Sequence, residues 1–167
     1  MTSTHTITGD PTGNLKTMRL KIIKPHYETL TIREDLPDYF VNNRTFSTAS
    51  DVFKMFKSLV NCPRETFICL HLDNKNKILC LDFVSQGSLT ASIVHPREVF
   101  IPVLLSGAAA IVFVHQHPSG DPEPSREDLD ITTRLKQCGE LLGVRVLDFL
   151  IIGEDRYVSL ADRGLLT

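Results

Sequence analysis

The chain has 167 residues, 42% of them hydrophobic, which is enough core for one domain with a short appendage and too little length for a second catalytic domain. Lysine and arginine total 18 against 20 acidic residues, so no strong global field favours nucleic-acid phosphate or anionic lipid. The longest largely apolar stretch, residues 102–114, is interrupted by Ser106 and Gly107 and falls well short of the roughly 20 residues that span a bilayer.

The first fifteen residues lack both the charged start and the apolar middle of a secretory signal, so a cytoplasmic location is expected. A Thr/Gly/Pro-rich head over residues 1–17 reads as a disordered tail. Residues 18–46 follow as a short N-terminal extension, with Pro25 and Pro37 as breakers and Asn42-Asn43 as a turn signal. The domain proper is expected over 47–167. Behind Thr48, Ser50 and Asp51, good helix-start residues, Val52, Phe53, Phe56, Leu59 and Val60 recur at helical spacing and predict a helix that stops before Pro63. Residues 65–72 (ETFICLHL) and 77–84 (KILCLDFV), split by Asp-Asn-Lys-Asn, predict a hairpin, and a third strand is expected over 89–94.

Pro96 suits a first helical position, and the run to Leu105 is apolar enough for a buried helix. Residues 108–114 form a continuous apolar run, the pattern of a central strand covered on both faces. After the loop HPSGDPEP, Ser125 opens a helix with Ile131, Leu135, Cys138 and Leu142 as its inward stripe and Gly143 as its stop. A buried strand over 144–152 and a short one near Tyr157 complete an α/β fold, a mixed sheet sandwiched by helices.

The residues that suggest chemistry lie where the central strand ends. Strand side chains alternate faces, so His115 and His117 project to the same side and both imidazoles can reach one ion, while Gln116 points away. A third ligand should be a carboxylate just downstream, from Asp121, Glu123, Glu127, Asp128 or Asp130. Asp130 falls far from the inward stripe, whereas Glu127 and Asp128 border it on opposite flanks, and helical angles do not separate those two. Two histidines with one carboxylate are a catalytic type of zinc shell, with water in the fourth position. Hydrolysis also needs a carboxylate to move the water's proton, for which Glu65 is favoured over Glu98, and an oxyanion donor, for which Ser125 is a candidate.

The runs VHPREVF at 94–100, AAAIVFVHQHPSGDPEPSREDLDIT at 108–132 and LDFLIIG at 147–153 resemble the RadC family, a bacterial branch of the JAB/MPN metalloprotease-like domains. The likeness covers about residues 45–167 and centres on the JAMM pattern: a distant Glu, then H-x-H, seven residues, and S-x-x-D. It implies a JAB/MPN fold with the layered architecture also seen in cytidine deaminases, and one zinc ion held by His115, His117 and Asp128. It also implies Glu65 as general base and acid, Ser125 as the residue that steadies the tetrahedral intermediate, and cleavage of peptide or isopeptide bonds in a protein or peptide substrate. Two positions depart from the family pattern: Gln116 stands where Asn is usual, and Asp148-Phe149 where Asp-His is common.

Other readings are weaker. A non-catalytic MPN interaction module would keep the fold without turnover, and the complete residue set argues against it. A zinc nucleobase deaminase needs H-x-E and P-C-x-x-C, which are absent. An accessory role in DNA repair needs a basic surface, hinted at only by Lys16, Arg19, Lys21 and Lys24, and the helix-hairpin-helix region of full-length RadC proteins is not recognisable in the first 45 residues. Cys62, Cys69, Cys80 and Cys138 form no C-x-x-C unit and read as small buried side chains. His5, His26, His71 and His95 are expected to be structural or surface residues.

Overall fold

The structure, a computed structural model, describes residues 25–30, 42, 44–61, 63–87 and 94–166. The expected tail over 1–17, most of the extension over 18–46, the four basic residues within them, Cys62, and all but Val94 of the strand expected over 89–94 lie outside the described residues.

Thr48 caps a helix, α1 (Ala49–Met55), by accepting the Asp51 N–H on its hydroxyl and donating that hydroxyl to Asp51 Oδ2. The α-helix is shorter than the periodicity predicts. At Phe56 the chain leaves α geometry (φ −113°, ψ 17°) and continues as a 3-10 turn over Lys57–Asn61. The predicted apolar residues still point inward, Val52 and Phe56 buried and Phe53, Leu59 and Val60 packed against them.

The hairpin forms as β1 (Thr66–Leu72) and β2 (Ile78–Gln86). Its turn is local chemistry: Asp73 Oδ1 accepts the N–H groups of Lys75 and Lys77, and Asn76 adopts the left-handed conformation at φ 60°. Helix α2 (Pro96–Ser106) starts on proline and ends at Gly107, whose φ of 69° favours glycine. It is less buried than its composition suggests. Val99, Phe100 and Val103 face the core, whereas Ile101, Leu104 and Leu105 stay exposed.

The remaining elements are β3 (Ala110–Gln116), α3 (Arg126–Leu142), β4 (Arg145–Ile152) and β5 (Tyr157–Ser159). The sheet order is β2-β1-β3-β4-β5, which makes β3 the central strand. Strands β3 and β4 are parallel, since α3 carries the chain back along the sheet between them, and every other neighbouring pair is antiparallel. Alternation along β3 sends Ala110, Val112 and Val114 to the face covered by α1, and Ile111 and Phe113 to the face covered by α2 and α3. The predicted helix-covered mixed sheet is therefore present.

Three of the four residues expected on the inward stripe of α3, Ile131, Leu135 and Cys138, pack against the core. The helix's buried residues are Asp128, Thr132, Leu135 and Gly139; Ile131 and Cys138 are half-buried, and Leu142 is exposed. At Gly139 a Cβ would lie 2.6 Å from the Val144 carbonyl and 3.1 Å from Val146 Cγ2. Only a residue without a side chain lets the helix end settle that closely on the chain entering β4. Apolar counting overlooks a stripe built from Asp, Thr, Leu and Gly. Among the described residues no helix is long and apolar enough to cross a membrane.

Candidate metal centre

Both histidines emerge from the C-terminal end of β3, where the core face of the sheet opens. His115 is the penultimate residue of the strand and His117 follows it, with its N–H donating to the Ile152 carbonyl at 3.0 Å. Antiparallel pairing of β1 with β3 sets Phe67 opposite His115 and Thr66 opposite Gln116, so Glu65, just ahead of β1, reaches the same strand end. The first turn of α3 brings Asp128 from the other side. Gln116 is buried on the face covered by α1, as alternation requires.

The four side chains converge. His115 Nε2 lies 2.8 Å from Glu65 Oε1, and His115 Nδ1 lies 2.7 Å from Asp128 Oδ1. His117 Nε2 is 3.5 Å from Asp128 Oδ2. One donor atom from each of Glu65, His115 and His117 falls within 4.8 Å of the others. Among the described residues the three side chains whose donor atoms could share one ion are thus Glu65, His115 and His117; Asp128, the expected third ligand, is not in that group and meets the other nitrogen of His115.

Ser125 is the N-cap of α3 and forms a capping box with Asp128. Its N–H and its hydroxyl both donate to Asp128 Oδ2, at 2.8 and 2.5 Å, and its Oγ accepts the Asp128 N–H at 3.1 Å. One serine thus caps the helix, orients the carboxylate and lines the cavity. Burial alone would push the Asp128 carboxyl up, but the hydrogen bonds from His115, His117 and Ser125 outweigh it and hold Asp128 well below the usual carboxylate range. Burial also works against protonation of His117. There the hydrogen bonds to Asp128 and to the Asp121 carbonyl, with the charges of Asp128 and Glu65, reverse the sign and raise the imidazole pKa.

The donor set suits a divalent cation. His117 Nδ1 donates to the Asp121 carbonyl at 2.8 Å, which leaves Nε2 with its lone pair directed at a carboxylate oxygen. Two acceptors facing each other need a proton or a cation between them. His115 presents the same case, since a neutral imidazole has one N–H and both of its nitrogens meet carboxylates. A backbone carbonyl that fixes the tautomer of a ring is also the usual outer support of a histidine ligand.

The loop that carries His117 is held against the start of the chain beyond β4. Gly120 sits at φ 78°, its carbonyl accepts the Glu154 N–H at 3.0 Å, and a Cβ on Gly153 would lie 2.3 Å from that carbonyl oxygen. Asp121 pairs with Arg156 at 3.1 Å, and Glu123 makes a two-pronged pair with Arg163 at 2.7 Å. Those two carboxylates thus serve the loop and do not reach the cluster. Glu98 is exposed in the first turn of α2 and pairs with Arg97, Asp130 is exposed, and Glu127 is exposed at the rim of the cavity. His26 and His95 are exposed and His71 is buried, as expected of residues outside the site.

A cavity of about 290 Å³ opens onto the cluster. Glu65, His115, His117, Ser125 and Asp128 all line it. Sequence reasoning missed its apolar lining, Phe67, Val94, Ile131 and Phe149, because such residues look like ordinary core. The missed signal for the Asp121 carbonyl is the tight HPSGD turn, which brings a backbone acceptor back beneath the ring of His117.

A helix-covered mixed sheet, with a His-x-His strand end answered by carboxylates from a neighbouring strand and the next helix, is the layout of a JAB-type domain. The chain belongs to the family of RadC-like JAB domains, whose family model matches residues 46–165. It is 61% identical over 122 residues to a UPF0758 protein of Syntrophotalea carbinolica, covering 72% of this chain and 54% of that protein. A UPF0758 protein of Methanosarcina mazei is 51% identical over 124 residues, 74% of this chain and 54% of the relative. The UPF0758 protein GSU0386 of Geobacter sulfurreducens is 55% identical over 103 residues, 62% of this chain and 45% of the relative. The chain spans about half the length of these curated relatives.

Proposed function

We propose that the domain is a JAMM-type metallohydrolase that cleaves peptide or isopeptide bonds, acting where the chain is expected, in the cytoplasm. His115, His117 and Asp128 would hold one zinc ion. Zinc in such a shell brings the ionisation of a coordinated water down to about pH 7 and polarises a carbonyl. Glu65 then accepts the proton as the water oxygen bonds to the scissile carbonyl carbon, and returns it to the amine nitrogen when the C–N bond breaks. Ser125 donates its hydroxyl toward the carbonyl oxygen as charge develops there, turning from Asp128 to do so. Asp121, through its carbonyl, keeps the His117 ring in one tautomer.

The observation that carries this reading is that both nitrogens of His115 face carboxylates, Glu65 on one side and Asp128 on the other, at one end of one cavity. Metal content of the purified protein, followed by hydrolysis of unstructured peptides with and without Glu65→Gln, tests it. Bound zinc with turnover lost in the variant is the expected result. Absence of any bound divalent ion after zinc loading and desalting would overturn it.

One observation favours the interaction-module reading: Ser125 and Asp128 engage each other as a capping box, which holds the start of α3 with no metal needed. Metal retained without turnover on any peptide or isopeptide tried would support that reading instead.

A further inference from the structure

The cavity over the metal centre has an apolar half that the proton chemistry leaves unused. Its floor is formed by the edges of Phe67 and Phe149, each only 1% exposed, whose ring centroids lie 5.5 Å apart with Phe113 behind them at 5.4 and 5.9 Å. Both floor rings stand edge-on to His115, at 5.9 and 6.3 Å, so this surface begins where the ligand cluster ends. Val94, just ahead of α2, and Ile131, three residues beyond Asp128, supply the walls. Besides the histidines, the ionisable residues on the lining are Glu65, Glu127 and Asp128, with no lysine or arginine among the described lining residues.

We propose that this apolar half seats the side chain flanking the scissile bond, so that cleavage falls beside a neutral apolar residue such as leucine or phenylalanine and avoids aspartate and glutamate. The inference rests on the hydrolase reading and names its substrate class. An apolar side chain here leaves water for a surface of aromatic and aliphatic carbon, gaining roughly 25 cal/mol per Å². An acidic one loses its hydration and meets Glu65, Glu127 and Asp128, three carboxylates that outnumber the two positive charges of a single zinc ion. The volume of about 290 Å³ is at the lower end for small-ligand pockets, which suits one side chain and its flanking backbone.

Zinc-loaded protein incubated with capped, unstructured hexapeptides that differ at one central position (Leu, Phe, Lys or Asp), with products read by mass spectrometry, tests the preference. Binding of the same peptides to the Glu65→Gln protein by saturation-transfer NMR provides a readout that needs no turnover. Leu and Phe peptides are expected to be cut at least about 10-fold faster than the Asp peptide, with the same order in binding. Ile131→Lys, which places a cation on the half-buried wall, is expected to bring the Leu-to-Asp ratio to about one or below. Should that variant not fold, Ile131→Thr is expected to lower the ratio about threefold. Equal cleavage of all four peptides would overturn the pocket and leave the hydrolase standing. Apolar preference in binding with no cleavage would sustain the pocket and overturn the hydrolase, and neither cleavage nor preference would overturn both.

Discussion

Glu65 Oε1 and His115 Nε2 lie 2.8 Å apart although 50 residues separate them in the chain, because antiparallel pairing of β1 and β3 brings the start of one strand to the end of the other. A carboxylate in this place can exchange a proton with anything bound at the histidines. Glu65→Gln keeps the size and removes the base, so it should retain metal while slowing hydrolysis by roughly 10²- to 10⁴-fold. Metal analysis and peptide turnover on the same preparation check both halves. His115→Ala and His117→Ala should instead lose the metal.

Asp128 has two duties, and variants can separate them. Ser125→Ala removes the cap hydroxyl and should cost about 1 kcal/mol in urea unfolding, with metal affinity weakened and not abolished. Asp128→Ala loses the carboxylate that meets both imidazoles and should abolish high-affinity zinc binding. If Asp128→Ala bound zinc as tightly as the parent protein in a chelator competition, its assignment as a ligand would fail.

Gly153 is a packing constraint on the His117 loop. A Cβ there would meet the Gly120 carbonyl oxygen at 2.3 Å and Pro122 Cδ at 2.7 Å, and neither is the flexible end of a side chain. Gly153→Ala should therefore destabilise the fold by about 1–3 kcal/mol and displace the loop. Because the Asp121 carbonyl fixes the His117 tautomer, zinc affinity should fall in the same variant, as an isothermal titration would show. Arg163→Ala, which removes an exposed, solvent-screened pair with Glu123, should leave the urea unfolding midpoint close to that of the parent.

His71 gives a pH signature away from the site. Ser106 donates its hydroxyl to the Val103 carbonyl and accepts from His71 Nδ1–H at 2.9 Å, so Nε2 is the bare nitrogen, buried and without a hydrogen-bond partner. Burial pushes the imidazole pKa down to about 4. The unfolded chain takes up that proton near pH 6.5 and the folded one does not until about pH 4, so its contribution is intact above about 6.5 and lost as pH falls across that window. The loss is about 3 kcal/mol from this residue. Urea unfolding from pH 7 to 4 should show a shallower decline for His71→Asn than for the parent, and parallel curves would refute the assignment.

Much of the fold is legible in local sequence. The hairpin turn at Asp73–Asn76, the proline start of α2, the Ser125 cap and Gly143 stop of α3 and the unbroken apolar run of β3 are each decided by residues close to one another in the chain. The same holds for the pairing of His115 with His117 on one face, since it follows from strand alternation alone. The inward face of α3 was legible in part: Ile131, Leu135 and Cys138 pack against the core, but the close approach of the helix end was not foreseen. That approach depends on Gly139, whose lack of a side chain no hydrophobic count contains.

By itself, then, the sequence determined element types, the central strand and the two-histidine motif, because backbone preference and side-chain periodicity are short-range properties. Helical angles did not separate Glu127 from Asp128; the tertiary structure turns Asp128 inward and leaves Glu127 at the rim, and it sets Glu65, favoured over Glu98 from the sequence, against His115. It also decided that Phe67 and Phe149, ordinary core residues in one dimension, form the floor of a cavity beside the histidines. The reason is physical: strand register and helix rotation are set by close contacts between residues distant in the chain, and those contacts choose which side chains share a site.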